Sequence, residues 1–455
     1  MEIIGRKTEN GDIVPFRIAF ITLGCKVNHY ETDGIRQIFE GLGFHCVRPK
    51  EEADVYVINT CTVTSEADRK SGQSIRRAKA GNSKAVVAAM GCRVAIENGD
   101  ADADTAAGTK DRLEIVRGVL NCLRNQYGDR YCGEKKDSEG CSQPSFPASV
   151  ITQEETRAYI KIEDGCDAFC SYCIIPYARG RVCSRSREEI VAEAAGLAEK
   201  GFHEIVLTGI HLSSYGKDMG RDVFSLAEVA EEIAKIPGIT RIRLGSLEPK
   251  SLTEAFIRYL ARIPKLCPHF HLSLQSGSET VLRRMNRRYT TGEFGETLRL
   301  LREFFPGCGV TTDIIVGFPG ESEEEHRESL SFCRDMAFSG MHIFPYSKRG
   351  GTRAAEMEPK ISAAVTSSRK EDFFRLDKIL RENFINHSLS SRCEVLIEKK
   401  KEGHTYEGYT GEYVRAHVTS STPLDAGQVY GVLPVSQKNG EVHAVYRDSS
   451  CVRAE

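Results

Sequence analysis

The chain has 455 residues, of which 40% are hydrophobic and 28% are charged, and its formal net charge is -2. The length predicts two or three domains, and the composition is that of a globular protein. The near-neutral charge excludes a strongly basic protein, and no run of about 18 apolar residues predicts a membrane-spanning helix. Sixteen cysteines without a secretion-signal pattern favour metal or redox chemistry over disulfides, so we expect a cytoplasmic protein with no membrane partner.

Residues 16–127 predict a first α/β domain with a Rossmann-like parallel sheet. Three short apolar runs, FRIAFITLGC, ADVYVINTC and SKAVVAAMGC, end at Cys25, Cys61 and Cys92, and helical patterns alternate with them. Such alternation predicts parallel strands, whose carboxyl ends lie at one edge of the sheet. We therefore expect the three thiols to meet there, the alternative being burial of each as a small apolar side chain. Cys46 lies at a predicted strand position and is expected to pack.

Residues 128–150 are rich in Gly, Ser and Pro and predict a linker. Cys132 and Cys141 fall within it and are poor ligand candidates, because a flexible segment does not preorganise a site. Residues 151–382 then alternate strand and helix about six times, which predicts an open, partial (βα)6 barrel. The loops after the strands form the active face of such a barrel.

The first of these loops contains GCDAFCSYC, residues 165–173, which gathers Cys166, Cys170 and Cys173. A structural zinc site or a ferredoxin cluster takes four protein ligands. Three thiolates can hold three corners of a [4Fe-4S] cube and leave the fourth iron open. An open iron suits a cluster that binds a substrate directly.

Residues 384–450 change to an alternation of apolar and polar residues with Gly and Pro at the turns. This pattern predicts a small antiparallel β-barrel. Small barrels of this kind often bind oligonucleotides, but the acidic and basic residues here are balanced. A purely structural cap is the alternative.

Arginines cluster after two predicted strands of the central domain. Taken singly, each cluster is typical of a solvated helix face or loop. Their position after strands nevertheless places them around the predicted active face, where they would suit a polyanionic substrate. The candidate RNA contacts are Arg179, Arg181, Arg185, Arg287 and Arg288.

The CxxxCxxC spacing of CDAFCSYC resembles that of radical S-adenosylmethionine (SAM) enzymes. Further motifs, TLGCKVN, INTCTVT, GC at 91–92, LTGIHLSSYG, SLEP, LSLQSGS and TDIIVGFPGE, resemble the methylthiotransferases of that superfamily in order along nearly the whole chain. The C-terminal barrel is similar to the RNA-binding TRAM domain.

The resemblance implies two [4Fe-4S] clusters with different tasks. The cluster at Cys166, Cys170 and Cys173 would bind SAM at its open iron, and an auxiliary cluster at Cys25, Cys61 and Cys92 would carry the sulfur to be transferred. One SAM would methylate that sulfur, and a second would yield the radical that removes a substrate hydrogen.

Further residues at predicted strand ends face the same cavity and are candidate SAM contacts. Tyr172 lies between two cluster ligands, where simple loop packing is the alternative. Polar residues at strand ends are also often only turn formers. The candidates are Tyr172, Gly209, Glu248, Ser273 and Gln275.

The context of the first cysteine, TLGCKVN, resembles the subgroup that acts on N6-threonylcarbamoyladenosine at position 37 of tRNA. The resemblance implies tRNA, through its anticodon loop, and SAM as partners, together with an unidentified low-potential electron donor, and we expect a monomer. Isopentenyladenosine 37 of tRNA and an aspartate of a ribosomal protein are alternative substrates. An RNA-binding iron-sulfur sensor without catalysis is the alternative from another class.

Overall fold

The computed structural model describes residues 4–133, 149–153, 155–388 and 393–447. These residues form an N-terminal α/β domain, a central βα domain and a C-terminal barrel, which confirms the predicted fold class. Most of the predicted linker, with Cys141, and the last three residues of the predicted barrel domain lie outside the described residues. None of the helices in the described ranges is both long enough and apolar enough to cross a bilayer.

The N-terminal domain is built around a parallel sheet flanked by helices. Its strands are β1 (Gly5–Lys7), β2 (Ile13–Pro15), β3 (Arg17–Thr22), β4 (His45–Val47), β5 (Val55–Thr60), β6 (Val86–Gly91), β7 (Thr105–Ala107) and β8 (Tyr131–Cys132). Its helices are α1 (Lys26–Gly41), α2 (Ser65–Gly81), α3 (Cys92–Glu97) and α4 (Leu113–Tyr127). Five strands pair in the order β4-β3-β5-β6-β7, all parallel. Both central strands, β5 and β6, are buried along their whole length, as their apolar sequences require.

A second, antiparallel sheet in the order β2-β1-β8 lies beside the first one. The sequence patterns missed it, because strands of two or three residues are too short to show a period. Its strand β8 contains Cys132, in the segment predicted as linker, and pairs with β1 near the start of the chain.

The central domain follows the predicted βα alternation. Its strands are β9 (Ala158–Lys161), β10 (Glu163–Asp164), β11 (Cys183–Ser184), β12 (Glu204–Thr208), β13 (Arg241–Leu244), β14 (Ser246–Leu247), β15 (His269–Gln275), β16 (Gly309–Val316) and β17 (Gly340–Pro345). Its helices are α5 (Ile175–Arg179), α6 (Arg187–Glu199), α7 (Phe224–Ala234), α8 (Glu254–Leu260), α9 (Glu279–Arg284), α10 (Thr291–Phe304), α11 (Glu323–Met336) and α12 (Ala363–Ser388).

Two parallel sheets, β9-β12-β13 and β14-β15-β16-β17, form the partial barrel. They are consecutive along the chain, since only Gly245 separates β13 from β14. On β15, Phe270, Leu272 and Leu274 pack into the core between sheet and helices. Because side chains alternate along a strand, His271 and the other intervening residues face the barrel interior.

The C-terminal domain is a closed barrel of five strands in the order β18-β19-β20-β22-β21. These are β18 (Cys393–Lys400), β19 (Thr405–Thr410), β20 (Arg415–Ser420), β21 (Val429–Lys438) and β22 (Glu441–Tyr446). The pairing of β20 with β22 is parallel, which corrects the prediction of a wholly antiparallel barrel. A ring with an odd number of strands cannot alternate direction throughout, so at least one pair must be parallel.

The tip of the β19–β20 hairpin docks against the amino-terminal ends of the central strands. Arg243 on β13 donates one hydrogen bond to the Gly411 carbonyl at 2.9 Å and another to the Thr410 carbonyl at 3.3 Å. The Tyr413 ring lies 4.9 Å from the imidazole of His269, at the start of β15. The C-terminal barrel therefore closes the end of the central barrel opposite the predicted active face.

Candidate active site

The cysteines of the N-terminal triplet, Cys25, Cys61 and Cys92, follow three neighbouring strands of the parallel sheet. Cys25 precedes α1 after β3, Cys61 follows β5, and Cys92 begins α3 directly after β6. Gly24 has φ +108°, and a Cβ at this position would lie 2.9 Å from the Cβ of Cys61. The glycine therefore lets the Cys25 loop close against Cys61, and the strand order brings Cys92 to the same edge.

Asn28, the last residue of TLGCKVN, holds these loops in place. Its amide donates to the Leu23 carbonyl at 2.7 Å and to the Thr60 carbonyl at 3.1 Å. These two carbonyls lie just before Cys25 and Cys61, respectively. Asn28 thus ties two cysteine loops to one side chain, a role that the sequence patterns did not reveal.

Arg179 completes the auxiliary triplet from the central domain. Its Nη2 donates to Asn28 Oδ1 at 2.7 Å and its Nε donates to Cys92 Sγ at 3.2 Å. Its side chain is only 1% exposed, so the prediction that Arg179 contacts RNA is wrong. The buried guanidinium instead places a positive charge beside the Cys92 sulfur.

Two acidic residues hold Arg179 and join the two domains. Glu31 of α1 pairs with Arg179 at 2.9 Å and with Lys161 at 3.1 Å, and Asp164 pairs with the same two cations at 3.0 Å. Arg112, from the N-terminal domain, pairs with both carboxylates. Burial by itself would raise the pKa of Glu31, but the three cations lower it to about 2. The auxiliary triplet is therefore assembled by both domains together.

The second triplet lies in the loop after β9 and β10, and it lines a cavity of about 150 Å³. The backbone N–H of Ala168 points at Cys166 Sγ at 3.5 Å. The cavity wall continues onto the carboxyl ends of the barrel strands, as predicted for the active face. Besides the cysteines, its wall includes Tyr172, Ile210, His211, Ser246, Glu248, Ser273, Gln275 and Arg287.

Arg287 also belongs to this wall, so the prediction that it contacts RNA is corrected. It donates to Cys170 Sγ at 3.3 Å and to the Ser273 carbonyl at 3.0 Å. A third bond runs to the Tyr289 hydroxyl at 3.0 Å, and the guanidinium lies over the Tyr289 ring. Each cysteine triplet is thus accompanied by one arginine that donates a hydrogen bond to one of its sulfurs.

Four of the five SAM candidates lie in the cavity wall. Tyr172 also packs against the cluster of Val281, Met285, Phe318 and Ala354, so the lining and packing interpretations both hold for it. Gln275 has φ +70° and follows a register shift in β15. A left-handed glutamine at a strand end is strained, and such strain is concentrated at functional sites.

Gly209, the fifth candidate, lies behind the wall. A Cβ at Gly209 would lie 2.3 Å from Glu163 Oε2, so the glycine makes room for that buried carboxyl. Glu163 in turn accepts from the backbone N–H of His211 at 2.9 Å. Burial raises the pKa of Glu163 to about 8.

His211, which the sequence analysis did not single out, contacts a SAM candidate directly. Its Nε2 lies 3.3 Å from a Glu248 carboxylate oxygen. Burial alone would raise the pKa of Glu248, but the bond to His211 lowers it to about 2. The signal available in the sequence was its place after a strand, in LTGIHLSSYG.

Known proteins resemble this chain over most of its length. Residues 160–333 match the radical SAM superfamily, and residues 17–108 match the uncharacterized protein family UPF0004. A threonylcarbamoyladenosine tRNA methylthiotransferase, MtaB, of Bacillus subtilis is 40% identical over 88% of this chain and 89% of its own. The chain belongs to the radical SAM methylthiotransferases.

Other relatives carry related names. The MtaB of Aquifex aeolicus is 37% identical over 84% of this chain and 92% of its own, and a tRNA-2-methylthio-N(6)-dimethylallyladenosine synthase of Pelotomaculum thermopropionicum is 33% identical over 84% and 86%. A radical SAM methyltransferase structure, TsrM of Kitasatospora setae with cobalamin and a [4Fe-4S] cluster bound, is similar with a TM-score of 0.52 at 14% identity, covering 75% of this chain and 74% of its own. That likeness concerns the fold alone.

The donor sets of this methylthiotransferase fit the two [4Fe-4S] clusters and the SAM that its family uses. Each set offers three thiols and one arginine N–H directed at a sulfur. Hydrogen bonds to the sulfurs are one of the means by which a protein tunes an iron-sulfur cluster. Burial raises the pKa of Cys92 and of Cys173 to about 12. These thiols are therefore protonated at neutral pH without iron, and cluster loading must release protons.

The remaining predicted RNA contacts of the methylthiotransferase divide into two groups. Arg185 donates to Glu193 at 2.7 Å and to the Tyr30 hydroxyl at 3.0 Å, so its guanidinium is committed to protein partners and the RNA prediction is corrected. Arg181 has a 79% exposed side chain, and Arg288 is exposed. These two stay predicted RNA contacts.

The barrel interior below the SAM cavity is polar. His271, Asp313 and His342 face it from β15, β16 and β17, and one ligand atom of each lies within 4.8 Å of the others. His271 Nε2 lies 3.3 Å from Asp313 Oδ2, while its Nδ1 bonds Thr311 at 3.0 Å. His342 is exposed to the interior space. A polar group of a substrate that enters the barrel would therefore find partners there.

Proposed function

We propose that this protein replaces the C2 hydrogen of N6-threonylcarbamoyladenosine at position 37 of tRNA by a methylthio group. The proposal rests on one geometric observation. Two sets of three cysteines, each with one arginine donating to a sulfur, lie at the carboxyl ends of two parallel sheets whose domains are joined through Arg179. Three thiols in each set leave one iron open, as a SAM-binding cluster and a sulfur-delivering cluster both need.

When bound, the two clusters and SAM supply the radical and the sulfur that a non-acidic C–H bond requires. The protein's own residues bind and orient. Ser273, Gln275 and Glu248 provide polar groups to the SAM cavity, with Glu248 held ionised by His211. Arg179 and Asn28 fix the auxiliary cysteines relative to the barrel mouth.

The threonylcarbamoyl substrate fits the interior better than the isopentenyl one. A threonylcarbamoyl group carries a hydroxyl, a urea and a carboxylate, whereas an isopentenyl group is wholly apolar. The interior offers His271, Asp313 and His342, polar side chains that a hydroxyl, a urea or a carboxylate can hydrogen-bond and that an apolar substituent cannot. Four of the relatives at 36–40% identity carry the threonylcarbamoyladenosine name.

A sensor without catalysis is not favoured, because it needs neither a SAM cavity nor two triplets. We further propose tRNA, through its anticodon loop, as the macromolecular partner, with Arg181 and Arg288 contacting phosphates at the barrel mouth. The proposal also includes a low-potential electron donor of unidentified nature, a monomeric state and a cytoplasmic location. The proposed domain limits are 16–127, 151–382 and 384–450.

The test is anaerobic reconstitution followed by reaction with SAM, dithionite and tRNA that carries threonylcarbamoyladenosine. Nucleoside mass spectrometry should detect the 2-methylthio derivative, together with 5'-deoxyadenosine. Parallel reactions use tRNA with isopentenyladenosine, and a Cys46→Ala variant serves as the matched control because Cys46 packs on β4, away from both triplets. Methylthiolation of isopentenyladenosine alone would refute the substrate assignment, and absence of 5'-deoxyadenosine would refute the enzyme.

A further inference from the structure

Lys26 directly follows the ligand Cys25, and its side chain enters the central barrel. Its Nζ lies 6.0 Å from the ring centroids of Tyr159 and Tyr413. Tyr159 faces the barrel interior, because Ala158 and Ile160 on either side of it pack in the helix-facing core. The half-buried ammonium group of Lys26 thus lies between the auxiliary cysteines and the floor formed by Tyr413.

Other cations surround the same tyrosine, and they already have acidic partners. Arg243 lies 4.8 Å from the Tyr413 ring centroid and pairs with Glu204 at 2.8 Å. Arg157 lies 5.1 Å from the same centroid and pairs with Glu398 at 2.9 Å. Both carboxylates are therefore occupied by arginines.

The ammonium group of Lys26, in contrast, makes no hydrogen bond and no ion pair with any residue in the described part of the chain, and its contacts are the rings of Tyr159 and Tyr413. Asp313, the other acid of the interior, is engaged by His271. A partly buried ammonium without a counter-ion is unfavourable, and a bound carboxylate would compensate for it. The interior therefore carries one positive charge that no acidic side chain among the described residues pairs with directly.

Lys26 and the polar layer share one space. The ring of Tyr413, 6.0 Å from Lys26 Nζ, lies 4.9 Å from the imidazole of His269, and both His269 and His271 hydrogen-bond the Thr311 hydroxyl at 3.0 Å. In agreement with this placement, burial lowers the pKa of His269, and Arg243, His271, Lys26 and His342 lower it further. A substituent that reaches His271 and His342 from the active face is therefore directed toward Lys26.

We propose that Lys26 binds the carboxylate of the threonyl group and so selects threonylcarbamoyladenosine over adenosines with an uncharged N6 substituent. This inference rests on the proposed function. In this nucleoside the carboxylate lies only a few bonds from N6, and N6 is attached to the same ring as C2, the atom that receives the sulfur. The lysine stem is of comparable length and begins one residue from Cys25.

The inference also gives a physical reason for the TLGCKVN signature. The lysine is placed where the sulfur-bearing triplet and the substrate's charged group must both lie. An uncharged side chain in its place would leave the substrate's carboxylate without the charge-assisted hydrogen bond that a lysine donates.

The test compares two RNA probes on reconstituted enzyme. One is an anticodon stem-loop with threonylcarbamoyladenosine, and the other carries the methyl ester of the same nucleoside, which removes the charge and adds one methyl group. The variants are Lys26→Met, Lys26→Arg and the exposed-surface control Lys50→Met. The measured quantity is kcat/KM for methylthiolation.

The wild type and Lys50→Met should prefer the free acid over the ester by about 100-fold, the size of one charge-assisted bond. The kcat/KM of Lys26→Met should fall about 100-fold on the free acid and little on the ester, so that this variant no longer prefers the acid. Lys26→Arg should keep part of that preference. Equal losses on both probes, or a Lys26→Met variant that still prefers the acid, would overturn the inference. Iron counting on each variant shows whether Cys25 still holds its cluster, and a wild type inactive on both probes would overturn the proposed function itself.

Discussion

The two cysteine triplets are built in opposite ways. Cys166, Cys170 and Cys173 lie within one loop, so local backbone geometry places them. Cys25, Cys61 and Cys92 come from three separate strand ends and depend on Asn28 and on Arg179 from another domain. Both triplets nevertheless end with three thiols and one arginine N–H on a sulfur. The two sites thus share the same donor set, but one is positioned by a single loop and the other by contacts between separate segments and domains.

Removing single cysteines should separate the two tasks most strongly. Cys170→Ala should abolish 5'-deoxyadenosine formation and methylthiolation alike, because the SAM site is lost. Cys61→Ala should abolish methylthiolation and leave 5'-deoxyadenosine formation within a few fold of wild type. Both products are quantified by mass spectrometry. A Cys61→Ala variant that still methylthiolates would contradict the division of tasks.

Glu31→Gln should destabilise the auxiliary side. Removing one charge from the network leaves buried Arg179 and Lys161 undercompensated, at a cost of about 3 kcal/mol in the free energy of unfolding. Since the pKa of Glu31 is lowered from 4.5 to about 2, its contribution is full above pH 4.5 and is lost as the pH falls toward 2. Urea unfolding of the reconstituted protein measures the effect.

The control for this variant is Glu66→Gln, whose exposed pair with Arg69 should matter little. If both glutamate variants unfolded alike at neutral pH, the domain-joining role of Glu31 would be disproved.

Glu163→Gln tests, through the pH dependence of the unfolding free energy, whether the buried Glu163 carboxyl behind the SAM cavity is protonated. The folded protein keeps the Glu163 proton up to about pH 8, while the unfolded chain releases it near 4.5, so wild-type stability falls as the pH rises through this window. Glutamine does not titrate. The variant should therefore gain on the wild type by about 3 to 4 kcal/mol in unfolding free energy between pH 5 and pH 8. A pH-independent difference between the two proteins would count against a buried, protonated Glu163.

The arginine bonds to sulfur test the feature that the two triplets share, and their removal should change the cluster reduction potentials only modestly. Arg179→Gln should lower the reduction potential of the auxiliary cluster, and Arg287→Gln that of the SAM cluster, because each removes a positive donor from a ligand sulfur. A shift on the order of 50 mV corresponds to one hydrogen bond of about 1 kcal/mol. Redox titration followed by electron paramagnetic resonance measures both potentials. Shifts in the wrong cluster, or in neither, would refute the pairing.

Much of the architecture was predictable from sequence, because the spacing of apolar residues distinguishes strands from helices and shows that the two alternate. The local triplet was also predictable, since its ligands are close in sequence. Arg179 and Arg287 were predicted as RNA contacts, but they donate hydrogen bonds to the sulfurs of Cys92 and Cys170. Charge clustering in the sequence does not indicate which way a side chain turns. The roles of Asn28, Glu31 and His211 depend on contacts between distant segments, which no periodicity encodes.

The most direct test of the account is an iron count on reconstituted wild type and on a Cys25, Cys61 and Cys92 to alanine triple variant. Two clusters, each on three thiolates, predict about eight iron atoms per wild-type chain and about four in the variant. About four in the wild type, or an undiminished count in the variant, would contradict the two-cluster account.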